Sequence, residues 1–147
     1  MVATYDDRAY LRVLHPLHAV LLAGTVPLFL GALLADLAYR SSHQIQWSNF
    51  ASWLIVGAMV LAAAVLVFAI VDLFHDGRRH GRRSGRGLLY FLLVLATFAL
   101  GLINALVHGQ DAWAIMPEAV WLSAVVLLLA CAATWLGFAG YRTGGAP

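Results

Sequence analysis

Apolar residues run almost unbroken through four stretches of the chain, about Pro16–Tyr39, Phe50–Phe74, Gly87–Val107 and Ala119–Ala139, each bounded by a short polar break. A helix needs about 20 such residues to cross the hydrocarbon layer of a bilayer. The pattern therefore predicts four membrane-crossing helices and an all-α fold, an integral membrane four-helix bundle forming a single domain. Pro16 suits the first position of span one, where its missing N–H goes unneeded, and Pro117 with Glu118 marks the start of span four. Pro27 lies inside span one and deprives the Ala23 carbonyl of its partner, which predicts a kink.

Within the spans, polar residues recur at helical spacing. His18 and Asp36 are 18 residues apart, five full turns, with Thr25 close to the same line. Tyr90 and His108 repeat that interval in span three, with Thr97, Gly101 and Asn104 near their line. Ser123 and Thr134 share a face of span four with Ala130, Gly137 and Tyr141. Polar groups are costly in lipid, so these stripes are expected to face one another inside the bundle. Gly24, Gly31 and Ala35 on span one, and Ala58 with Ala62 on span two, supply small faces that let backbones approach within the bundle or pair with a second copy.

Charge sets the expected orientation. All nine basic residues are Arg, and five of them, Arg78, Arg79, Arg82, Arg83 and Arg86, crowd into the break between spans two and three. By the positive-inside rule this basic loop, 75–86, is cytoplasmic, and an even number of crossings places both termini on the same side. Arg8, Arg12 and Arg142 agree; only Arg40 falls opposite. The same loop is suited to anionic lipid headgroups; nucleic acid is not an expected partner. Trp47, Trp53, Trp113 and Trp121 gather at the outer span ends, with Trp135 and Tyr141 at the inner end of span four, as expected of interfacial aromatics. An acidic Tyr5-Asp6-Asp7 start and the lack of a small-x-small site after Ala35 argue against reading span one as a cleaved signal peptide.

Composition agrees: 63% of the 147 residues are hydrophobic and 11% charged, with a mean hydropathy of +0.84. These values exclude a disordered chain, a disulfide scaffold and an ordinary cytosolic enzyme. The lone Cys131 allows no intrachain disulfide and reads as a packing residue. No nucleophile-base-orienter group, phosphate-cradling loop or zinc-type ligand set is present.

Taken with the orientation, the stripes predict two clusters about 27 Å apart, one at each membrane edge, from 18 residues at 1.5 Å each. Asp36, Asn104 and His108 are expected near the outer surface, and His15, His18, Asp72, His75 and Tyr90 near the inner one. Neutral imidazole is a common haem ligand. His18 and His75 match in depth as a pair of ligands for a b-type haem, with Asp72 as an acceptor orienting one imidazole. The alternative reading is polar capping, with Asp and His pairing or reaching to water. His43 and His80 are expected to be solvated.

The segments His15-Pro16-Leu17-His18, Asp36, Gln46-Trp47-Ser48-Asn49-Phe50, Asp72 and Gly101-Leu102-Ile103-Asn104-Ala105-Leu106-Val107-His108 carry a resemblance. From His15 to about Phe138 the chain is similar to a bacterial family of small four-helix membrane proteins of the DUF2231 type, known only as a domain of unknown function. The resemblance implies an inner-membrane location. Some relatives are joined to, or lie beside, periplasmic sugar dehydrogenases or redox domains, which implies a membrane anchor or electron-transfer partner. One departure is that many relatives carry a His early in span three, where this chain has Leu88-Leu89-Tyr90. Three functions stay open. The first is a subunit of a dehydrogenase or respiratory electron-transfer system, holding haem b or a quinone near His15, His18 and His75. The second is a cofactor-free scaffold, and the third a small proton or solute pathway lined by the polar seam.

Overall fold

A computed structural model describes residues 15–80, 85–110 and 115–139, with side chains from 76 to 80 excepted. It contains four helices: α1 (Pro16–Ser42), α2 (Ile45–His80), α3 (Gly85–His108) and α4 (Glu118–Ala139). Each carries a stretch long and apolar enough to cross a membrane, in α2 the part Ile45–His75. Helices are the expected solution because each closes its backbone hydrogen bonds on itself, leaving no N–H or C=O bare in hydrocarbon.

Packing runs around a ring, α1 and α3 each lying against both α2 and α4. Successive helices are antiparallel, so α1 and α3 run parallel across one diagonal of the bundle. The inside mixes small and polar side chains with apolar layers. Ala32, Ala51, Ala58 and Ala119 are fully buried together with Asp36 and Asn104, whereas Trp53, Val60, Leu106, Leu128 and Trp135 point outward. That arrangement inverts a water-soluble bundle and suits a lipid surround, where association relies on close backbone approach and interhelical hydrogen bonds.

Gly24 and Gly31 face Leu61 and Leu54 of α2, so the small face of α1 is filled within the chain. Three apolar layers divide the interior along its length. Leu22, Val65, Ala69, Val94 and Ala133 pack toward the His15 end, Phe29, Ala58, Val126 and Ala130 at mid-height, and Tyr39, Ile115 and Ala119 at the far end.

Helix bounds differ from the expected ones chiefly in α2, which starts at Ile45 rather than Phe50 and stays helical to His80. The break between α1 and α2 thereby shrinks from about ten residues to His43 and Gln44. Gln46, Ser48 and Asn49 join the helix, and Ser52 returns its hydroxyl proton to the Ser48 carbonyl. Polarity at a bilayer edge thus extends a helix instead of ending it, because the backbone is still better satisfied within the coil. The expected basic loop is likewise helical through His80; Arg82 and Arg83 lie outside the described residues, as do Arg8, Arg12, Trp113, Tyr141 and Arg142. Arg86 is exposed in the first turn of α3. Pro16 opens α1, and α1 continues through Pro27 without interruption.

Candidate functional site

Polar side chains meet in two places, and in both α1 is joined to α3 across the diagonal. At the His15 end, His18 Nε2 shares a hydrogen bond of 2.7 Å with the Tyr90 hydroxyl. The His18 ring stacks on Phe68 of α2 with centroids 5.1 Å apart and planes 13° off parallel. Phe68 also stacks on His15 at 6.3 Å. His15 caps α1, its Nδ1 accepting from the Leu17 N–H at 3.3 Å, a contact that fixes the entry of the chain into the helix.

His75 lies on an exposed turn of α2, its Nδ1 donating to the Val71 carbonyl at 2.9 Å, and Asp72 is half-buried beside it. Among the described residues no hydrogen bond links Asp72 to an imidazole, nor His75 to His18. A haem between His18 and His75 would need both imidazoles to face one space, whereas His18 is buried with Nε2 held by Tyr90 and His75 lies exposed. The residues present do not fit that group there.

At the opposite end four side chains form one buried network. Asp36 is at its centre: His108 Nε2 lies 2.8 Å from Oδ1, and the Ser123 hydroxyl donates to Oδ2 at 2.6 Å. Asn104 Nδ2 donates in turn to Ser123 Oγ at 3.0 Å. His108 Nδ1 donates to the Asn104 carbonyl at 2.9 Å. Asp36 and Asn104 are completely shielded and Ser123 is 1% exposed. The network uses residues from α1, α3 and α4, so it fastens three helices at one level. Asn104 Oδ1 is buried with no partner, and so is Thr134 Oγ1 of α4, among the described residues. Between the two ends, Thr25 and Thr97 return their hydroxyl protons to the carbonyls of Leu22 and Leu93 on their own helices.

Of the residues singled out in the sequence, Asp36, Asn104 and His108 are therefore in one network, and His15, His18 and Tyr90 gather around Phe68. Asp72 and His75 stand apart on α2. Sequence reasoning passed over Ser123 as a member of the network and Phe68 as the ring between two histidines. Ser123 had a signal, the polar face it shares with Thr134. Phe68 had none, being one aromatic residue in an apolar run.

No curated protein and no solved structure matches the chain. Residues 14–143, which take in all four helices, match the family described as predicted membrane protein (DUF2231), and the chain belongs to that family of multi-pass membrane proteins.

Proposed function

We propose that the protein is a subunit of a bacterial inner membrane, with both termini cytoplasmic, that anchors a dehydrogenase or respiratory electron-transfer partner. In this reading its polar interior locks the bundle and carries no electrons itself. One observation supports it above the rest: the buried His and Asp side chains are engaged across helices, His18 with Tyr90 and Asp36 with His108 and Ser123. A rigid bundle with its interior so committed is suited to presenting helix ends to a partner. The class of partner rests on the family resemblance, and the Arg-rich segment ending at Arg86 would meet anionic headgroups on the cytoplasmic face.

The experiment compares membranes of cells with and without the chain for dye-linked dehydrogenase activity. It is joined to a reduced-minus-oxidised spectrum and a quinone extraction of the purified protein in native-lipid nanodiscs. The expected result is a dehydrogenase activity that moves from membrane to soluble fraction when the chain is deleted. Purified protein should give no Soret band and less than one quinone per chain. An unchanged activity distribution overturns the anchor, and a Soret band or stoichiometric quinone overturns the passive interior.

A further inference from the structure

We infer that the Asp36–His108–Ser123–Asn104 network is a proton-binding site: Asp36 and His108 together hold one proton beyond an ionised carboxylate and a neutral imidazole. The geometry around the imidazole carries the inference. Both ring nitrogens face acceptors, Nδ1 the Asn104 carbonyl at 2.9 Å and Nε2 the Asp36 carboxyl at 2.8 Å. A neutral imidazole has one N–H and one lone pair, so with an ionised Asp36 it would point that lone pair at an oxygen in one of the two contacts. One added proton removes the conflict.

That proton has two places to reside. On His108 it gives imidazolium beside carboxylate; moved along the Nε2···Oδ1 contact it gives neutral imidazole beside carboxylic acid. One N–H bond breaks as one O–H bond forms, and the composition is unchanged. The other half of the carboxyl group favours the first form. Ser123 donates to Oδ2 at 2.6 Å, in the range of hydroxyl donors to an ionised oxygen, and 2.8 Å suits N⁺–H to O⁻.

Among the described residues, the surroundings leave the pair as its own counter-charge. On α1, Tyr39 is buried one turn further along and Arg40 is exposed; on α4, Glu118 is exposed in the first turn. The first turns of α2, from Ile45 to Trp53, contain no titratable residue, and α3 supplies His108 alone at this level. Apolar layers close the network on both sides, Tyr39, Ile115 and Ala119 toward the helix ends and Phe29, Ala58 and Val126 toward mid-height. Among the described residues Asn104 Oδ1 is buried without a partner, an acceptor inside this shielded region.

The test is magnetic resonance on the full chain in nanodiscs at neutral pH, reading the His108 ring nitrogens and the Asp36 carboxyl carbon. The expected signature is two protonated nitrogens beside an ionised carboxylate. A neutral imidazole beside a carboxylic acid has the same proton count and also supports the site. A neutral imidazole beside an ionised carboxylate overturns it. In Asp36→Asn the second His108 N–H is expected to be lost, and its persistence would show that Asp36 is not the counter-charge. If Asp36→Asn does not fold, His108→Gln reads the other partner. Asp36 should then appear as the carboxylic acid, and an ionised carboxylate there overturns the inference.

Discussion

His18 and Tyr90 lie 72 positions apart in the chain and 2.7 Å apart across the bundle, and the same offset of 72 sets Asp36 against His108. Two parallel helices on a diagonal are thereby held in one register over about five turns, since 18 residues advance α1 and α3 alike. Slipping α3 by a residue would break both pairs at once. Tyr90→Phe removes one of the two and leaves the buried His18 nitrogen without that hydroxyl. Interhelical hydrogen bonds in membranes contribute roughly 0.6 kcal/mol on average and up to about 1.7. The expected loss is about 1 kcal/mol, measured by denaturant unfolding in mixed micelles. Tyr90→Phe combined with His18→Leu should cost less than the two single changes added together.

Asp36 should be the most sensitive position in the interior. Asp36→Ala strands the His108 and Ser123 donors in a closed apolar setting, and breaking a buried ion pair from one side costs roughly 3–5 kcal/mol. Replacing both partners, Asp36→Leu with His108→Leu, removes the charge and its counterpart together and should recover most of that loss. Unfolding free energies of the single and double variants decide the matter. A double variant no better than Asp36→Ala would mean that packing, rather than uncompensated charge, sets the cost.

The two stripes were legible because burial of Asp, His and Asn in lipid is so unfavourable that spacing alone assigns their side. His18, Asp36, Tyr90 and His108 could be aligned from an 18-residue interval without coordinates. What could not be read was which stripe meets which. Ser123 enters the network from α4 because α4 is adjacent to both α1 and α3, a fact of ring order that periodicity within one helix does not contain. Phe68 falls between His15 and His18 for the same reason, being placed by the α1–α2 contact. α2 begins ahead of the apolar span because Gln46, Ser48 and Asn49 read as a break by hydropathy, whereas lipid-edge backbone is governed by hydrogen bonding. His75 matched His18 in depth, but depth is one coordinate, and the angular position of His75 turns it outward.

Gly101 of α3 should tolerate alanine only through Met59. A Cβ at this position would lie 2.5 Å from Met59 Sδ and 3.5 Å from the Phe29 ring. The sulfur belongs to a flexible side chain that can move aside, so Gly101→Ala should cost less than about 1 kcal/mol. Gly101→Leu has no such exit against Phe29 and should cost roughly 1–3 kcal/mol by overpacking. Met59→Ala is expected to relieve part of the leucine variant's defect, read as a rise in its thermal midpoint. A leucine variant unaffected by the second change would show that Met59 is not the obstructing group.

Orientation can be read by thiol labelling in a Cys131→Ala background. Gln44, exposed between α1 and α2, lies opposite the Arg-rich segment. With eight of nine Arg expected on the cytoplasmic side, Gln44→Cys should react with an impermeant maleimide in intact spheroplasts. Ser84→Cys should react only after the membrane is opened. The reverse pattern would invert the bundle and place the Asp36 end at the cytoplasm.

His43 ends α1 in the left-handed region, at φ 56° and ψ 19°, and its N–H closes the helix by donating to the Tyr39 carbonyl at 2.8 Å. That conformation costs an L-residue with a Cβ roughly 1–2 kcal/mol, a penalty glycine escapes. His43→Gly keeps the capping hydrogen bond, because it comes from the backbone. It loses the tilted contact between the His43 and Tyr39 rings, whose centroids are 6.4 Å apart. That loss and the greater freedom of glycine in the unfolded chain offset part of the gain. The net expectation is a stabilisation of about 0.5 kcal/mol, while His43→Val, β-branched and strained at positive φ, should destabilise by more than 1 kcal/mol. Thermal midpoints in nanodiscs order the three proteins: glycine above histidine, histidine above valine. A glycine variant below the parent would show that the imidazole contributes more to the turn than its backbone geometry takes away.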